Sequence, residues 1–92
     1  MNKCLKITLT LDPQEGFLQN VIQRNARKFE LEGMVQALSA DKIKIIVCGE
    51  KEQVDFFVDS IHKESVQTTI KDIEIEPYIK DRDYRGVFRV IE

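Results

Sequence analysis

The chain is poor in the residues from which specialised sites are usually built. Two cysteines and one histidine cannot make a disulfide framework, and without a carboxylate they cannot complete the four ligands of a zinc site. No apolar run approaches the ~18–20 residues of a membrane span. The first residues do not read as a secretory leader, because Lys6, Thr8 and Thr10 break the apolar stretch there. Nor does either charge dominate: 14 Lys and Arg stand against 16 Asp and Glu, a net −2. Dedicated DNA and RNA binders carry a basic excess that is missing here. These absences point to a cytoplasmic, monomeric domain with no metal, cofactor, nucleic acid or membrane among its partners.

What is present suits a folded chain. Hydrophobic residues make up 42% and charged residues 33% of the 92 positions, the balance of one globular domain over residues 1–92. Residues 4–11 alternate, with Leu5, Ile7, Leu9 and Leu11 on one side and Cys4, Lys6, Thr8 and Thr10 on the other, the period of a half-buried strand. Residues 12–16, with Pro13 and Gly16, break it. From Phe17 the period becomes helical, with Leu18, Val21, Ile22 and Phe29 opposite Gln23, Arg24, Arg27 and Lys28.

A short strand over 34–38, a tight turn at Ala40-Asp41 and a long strand over 42–49 follow. A second helix opens at Glu50-Lys51-Glu52 with the core stripe Val54, Phe57, Val58 and Ile61. Residues 70–76 alternate again until Pro77, and 87–91 form a closing strand. This order predicts an α+β, ferredoxin-like βαββαβ sandwich: an antiparallel sheet with two helices packed on one face.

That architecture hosts many functions, so function must come from a site. The stretch Ile22-Gln23-Arg24-Asn25-Ala26-Arg27-Lys28-Phe29-Glu30-Leu31-Glu32-Gly33-Met34-Val35 resembles the V-Q-R-x-A-x-x-L-G-L-x-G-W-V segment of the acylphosphatase family. Residues 42–50 with Val54 and Phe57 are similar to the family's third strand and second helix, and Tyr84-Arg85-Gly86-Val87-Phe88 to its closing F-S-G-F segment. Acylphosphatases hydrolyse carboxyl-phosphate anhydrides. In the family a loop after the first strand, G-x-V-Q-G-V-x-F-R, cradles the phosphate with backbone amides and its Arg, and an Asn near the end of the second strand positions water. The chemistry needs those groups, because a phosphoryl dianion is held by charge-assisted hydrogen bonds and the water reacts by placement.

Aligned without gaps, the resemblance sets Pro13, Gln14, Glu15, Gly16, Phe17, Leu18 and Gln19 in the phosphate loop. The family Arg is then Gln19, which carries no charge, and the catalytic Asn is Ala37, which offers nothing to a water. The loop Gly is Glu15, Pro13 lacks an amide donor, and Asp12 and Glu15 bring carboxylates to an anion site. One lost oxyanion-type donor costs ~2.7–4 kcal/mol of transition-state stabilisation. The resemblance, with these departures, implies a degenerate active site in a binding or regulatory module for a protein or small ligand. The alternative is a divergent acylphosphatase in which another guanidinium, such as Arg85 or Arg89, folds over the loop; Arg24 and Arg27 lie too far along the helix.

Other residues have plainer readings. Cys4 and Cys48 fall beside one another on the face away from the helices, as two reduced thiols or, alternatively, a redox-sensitive pair. His62, expected at the end of the second helix, reads as a surface residue suited to that helix's negative end. The open sheet face shows Lys6, Thr8, Thr10, Lys44 and Ile46 with no aromatic on which an RNA base could stack. Charged residues around Ile73 and Ile75 keep a strand edge soluble. Phe56, off the core stripe, and Phe17 are candidates for a small contact surface.

Overall fold

The computed structural model describes residues 2–12, 16–67, 70–79 and 84–91, with the backbone alone at 64–67. Strand β1 spans Asn2–Leu11; a π-helical stretch, Leu18–Gln23, runs directly into α1, Arg24–Lys28. There follow β2 (Glu32–Ala37), β3 (Lys42–Glu50), α2 (Lys51–Gln67), β4 (Ile70–Pro77) and β5 (Phe88–Ile91). The strands form one sheet in the order β4-β1-β3-β2-β5. The expected ferredoxin-like sandwich is present, with both helical elements on one face.

The sheet is mixed, where a wholly antiparallel one was expected. β1–β3, β1–β4 and β2–β3 pair antiparallel, but β5 pairs parallel to β2, Gly33 opposite Phe88. The reason is topological. β4 and β5 lie on opposite edges, and the chain leaves β4 and enters β5 at the same end of the sheet, so β5 runs the way β2 runs.

The core lies between sheet and helices. Ile7, Leu9 and Leu11 of β1, Ile43, Ile45 and Val47 of β3, and Val54, Phe57 and Ile61 of α2 are buried in it, as their spacing requires. Each such side chain contributes ~1.5–3 kcal/mol by leaving water. β3, central in the sheet, is buried on both faces: Ile46 and Cys48 join Met34 in a second cluster on the side away from the helices. Tyr78 and Tyr84 pack against it, so that face does carry aromatics. They come from the chain between β4 and β5, outside the strand periodicity that suggested none.

Cys4 and Cys48 are direct cross-strand partners and form a disulfide. Neighbourhood was legible from the strand period, and of the two alternatives the structure takes the paired one. His62 lies within α2, five residues short of its end, and is exposed. Phe56 packs its ring against Phe29 with centroids 6.0 Å apart and the planes tilted by 34°. Ile75, on the same side of the edge strand as Ile73, is 41% exposed.

Local conformation follows the sequence at two glycines. Gly33 has φ +141°, and a Cβ there would collide with the Ile46 carbonyl oxygen, so β2 can approach β3 only with glycine at this position. Gly16, φ +76°, turns the chain into the helix, and its carbonyl accepts from the Asn20 amide at 2.7 Å. The wide π-helical winding has a side-chain correlate. Asn25 Nδ2 donates to the Val21 carbonyl at 2.8 Å, while the Arg24 amide reaches back to the Gln19 carbonyl.

Candidate functional site

The end of the sheet where β1 finishes, β2 finishes and β3 begins is built from short-range backbone bonds. The Leu38 amide donates to the Lys42 carbonyl at 2.9 Å, closing the β2–β3 turn, and the Leu11 amide donates to the Asp41 carbonyl at 2.8 Å, tying the exit of β1 to that turn. Ser39 Oγ donates to Asp41 Oδ1 at 3.0 Å. The start of the π-helical stretch packs over the same end.

Between these pieces lies an open-mouthed cavity of about 140 Å³. Leu11, Phe17, Leu18 and Ile43 form its apolar wall, Ala37 adds a methyl, and Ser39, Asp41 and Lys42 stand at the rim. Phe17 and Leu18 are thus brought together with Ala37, the last residue of β2, although about twenty positions separate them in sequence. Phe17 is buried, an anchor of the core and not a free contact surface.

Gln19 is exposed, on the second residue of the π-helical stretch, and is not among the cavity residues. Gly16 is half-buried before it. Pro13, Gln14 and Glu15, three of the residues expected in the phosphate loop, lie outside the described residues. Asp12 is drawn away from the cavity: its carboxylate pairs with Lys71 of β4 at 3.0 Å. Both partners are more than half exposed, so the pair redirects a charge more than it stabilises the fold.

The guanidinium groups lie elsewhere. Arg24 lines a shallow groove of about 240 Å³ with Asn20, Asn25 and Lys28 on the outer side of the helix. Arg27 lines another, of about 410 Å³, with Glu30 and the chain at Gly86-Val87. Arg85 belongs to the turn that enters β5 beside Gly33, at the opposite end of the sheet from Ala37. Arg89 is paired with Met34 in mid-sheet, and its position between the inward Phe88 and Val90 sets it on the face away from the helices. Neither Arg85 nor Arg89 lies at the Ala37 end of the sheet.

Lys42 and its turn were missed in the sequence, where Ala40-Asp41 signals only a change of direction. The signal was the hairpin register: a β2–β3 turn must lie beside the end of β1 once β1 and β3 pair from Asn2–Glu50 to Thr10–Lys42. Among the described residues Lys42 has no carboxylate partner. No three His, Cys, Asp or Glu side chains among the described residues come together as a metal cluster would require, and no helix of the described residues is long and apolar enough to cross a membrane.

A five-stranded sheet backed by two helical elements, with a loop-to-helix junction facing the tip of the second strand, defines a ferredoxin-like α+β domain with a cavity at that junction. The acylphosphatase family model matches residues 14–90, and the chain belongs to the acylphosphatase family. It is 23% identical over 87 residues to an acylphosphatase of Coxiella burnetii, an alignment covering 95% of this chain and 90% of that one. The solved structure of a Coxiella burnetii acylphosphatase superposes with a TM-score of 0.83 at 22% identity, covering 98% of this chain and 93% of the other. That of the Bacillus subtilis acylphosphatase gives 0.82 at 18% identity, covering both chains completely.

Proposed function

We propose that this chain is an acylphosphatase-family domain that no longer hydrolyses acyl phosphates and serves as a binding or regulatory module for a protein or small ligand. The observation that carries the reading is the pair Gln19 and Ala37. At the positions where the family resemblance sets its Arg and Asn, one side chain is neutral and the other is a methyl. The placement of Arg24, Arg27, Arg85 and Arg89 away from the Ala37 end supports it, since none is positioned to replace the lost cation. A phosphoryl group without a guanidinium loses its bidentate partner, and a water without the Asn loses its orientation.

Hydrolysis of benzoyl phosphate tests this directly. The natural chain should show no turnover above background. Gln19→Arg with Ala37→Asn should raise the rate by on the order of a hundredfold or more if the surrounding backbone still forms a cradle. Strong turnover by the natural chain would sink the reading. One observation bears on the alternative of a divergent acylphosphatase acting on carboxyl-phosphate anhydrides: Lys42 is the one basic residue among the described residues that line the cavity. On that alternative Lys42→Met would abolish a turnover that the natural chain possesses.

The reading takes residues 1–92 as one domain, monomeric and cytoplasmic, without metal or cofactor. The Cys4–Cys48 link gives the location its own check, because disulfides persist in oxidising compartments and are rare in the cytosol. In a reducing cytosol the link should be found opened, with both thiols taken up by alkylation in freshly quenched cells; a fully oxidised population would place the protein elsewhere.

A further inference from the structure

We propose that the outer face of the first helix and the neighbouring Phe56 of α2 form a docking surface for an acidic helical segment of a second protein. Its carboxylates meet Arg24 and Lys28, and an apolar side chain beside them meets the Phe29–Phe56 pair. The proposal rests on the binding-module reading and gives that module a partner class, at a place apart from the cavity beneath the β2–β3 turn.

The sequence concentrates positive charge on this helix. Residues 17–29 hold Arg24, Arg27 and Lys28 and no Asp or Glu, in a chain whose net charge is −2. The two flanks of the helix divide these cations. Gln23 Nε2 donates to the Phe88 carbonyl at 3.4 Å, so the flank it shares with Arg27, one turn on, faces β5. Arg24 and Lys28, also one turn apart, line the groove of about 240 Å³ on the other flank. Asn25, fixed by its bond to the Val21 carbonyl, forms part of the same wall. Among the described residues no carboxylate pairs with Arg24 or Lys28.

This groove continues into an aromatic patch. The Lys28 ammonium stands 5.5 Å from the centroid of the Phe29 ring, within cation–π distance, and the Phe29 ring packs against Phe56. Of the five Phe and two Tyr of the chain, Phe56 alone is exposed, at 49%. Asp55 reaches Lys3 of β1, and Glu52 and Asp59, one turn to either side of it, share that flank of α2. The flank of Phe56 toward the first helix carries Gln53 and Ser60 in place of acids. An exposed aromatic braced by a second ring, beside cations without partners, has the composition of a binding hot spot.

Charge and spacing select the partner. Carboxylates one turn apart on a guest helix are set as Arg24 and Lys28 are, about 5–6 Å between Cβ atoms. Affinity for nucleic acid grows with the number of phosphates neutralised, and this face offers two cations in a net-negative chain. A membrane surface takes a helix by a broad apolar face, whereas the apolar side of this helix, Ile22 and Ala26, is buried in the core.

Three fluorescein-labelled helical peptides of one design test the surface by anisotropy. One carries Glu residues one turn apart beside Leu, the second has Gln for Glu, and the third has Lys for Glu. The acidic peptide should bind with a Kd on the order of a hundred micromolar at low salt and weaken as salt rises. The neutral peptide should bind about ten-fold more weakly and the basic one not at all. In the 15N-labelled chain the acidic peptide should move the amides of Arg24, Lys28, Phe29 and Phe56 above all others. Phe56→Ala should weaken binding about ten-fold. Arg24→Glu with Lys28→Glu should exchange the preference for the basic peptide, a result that a misfolded variant would not give.

Unsaturable binding of the acidic peptide, equal binding of the neutral one, or undiminished binding by Phe56→Ala would each overturn the proposal. So would tighter binding of a single-stranded oligonucleotide or of phosphatidylserine vesicles, or self-association of the chain through the same amides. Its failure is separable from that of the non-catalytic reading. Absent peptide binding with absent benzoyl phosphate turnover removes the partner class alone, whereas measured turnover removes the reading beneath it.

Discussion

At Gly33 a single missing atom sets the spacing of two strands. With φ at +141° and the Ile46 carbonyl lying where a Cβ would go, Gly33→Ala forces either the backbone angle or the β2–β3 pairing to change. Strain of this kind costs ~1–3 kcal/mol for the dihedral alone, so the variant should lose at least ~2 kcal/mol in urea unfolding. Loss under ~0.5 kcal/mol would mean that β2 shifts freely.

Asp55 of α2 is held by a lysine of β1. The Lys3 ammonium, 2.7 Å away, hydrogen-bonds the Asp55 carboxylate and holds its pKa below the usual range, with Lys51 adding a smaller attraction. A carboxyl depressed in the folded state stabilises above its unfolded pKa, and that contribution disappears as pH falls through the folded pKa. The pair is exposed and its effect small. Lys3→Met should leave a slightly lower stability near neutrality, and the difference from the natural chain should vanish in strong acid. A difference that grows on acidification would contradict the sign.

Secondary elements were legible to different degrees. β1, β3 and the α2 stripe announced themselves because each keeps one period over at least seven residues, and the core took the side chains that this period assigned to it. The direction of β5 was not legible, since four residues reveal that a strand exists but not which way its neighbour runs. The π-helical winding of Leu18–Gln23 was hidden too, for it keeps an apolar face much as an α-helix does and differs in which carbonyl each amide reaches.

The cysteines show both sides of this. Alternation placed Cys4 and Cys48 on one face and antiparallel pairing set them opposite each other, yet whether neighbouring sulfurs are joined is a question of oxidation, about which sequence is silent. Joined across a sequence separation of 44, they limit the unfolded chain. Reduction, or Cys4→Ser with Cys48→Ser, should lower stability by ~2–4 kcal/mol in the loop-entropy picture, read as a drop in Tm with the spectrum of the folded state retained. An unchanged Tm would mean that the strand pairing alone restrains those residues.

The whole molecule separates scaffold from site. Burial in the Ile7–Ile45–Phe57 core depends on spacing that the chain has kept, and truncating its fully buried phenylalanine, Phe57→Ala, should cost ~3–5 kcal/mol and abolish cooperative unfolding if total stability is near that value. The site was legible only through the family motif, which pointed to Gln19 and Ala37, one of which lies at the cavity. The cavity and Lys42 could not be read from spacing, because three segments distant in sequence meet there only after the sheet has formed.

The proposed function requires that the junction of β1 and the first helix has lost its affinity for an anion, and calorimetric titration with inorganic phosphate measures that affinity without any need for turnover. The natural chain should give no saturable heat up to tens of millimolar, while Gln19→Arg should acquire measurable binding. Tight, one-to-one phosphate binding by the natural chain, undiminished when Gln19 is changed to Ala, would contradict it.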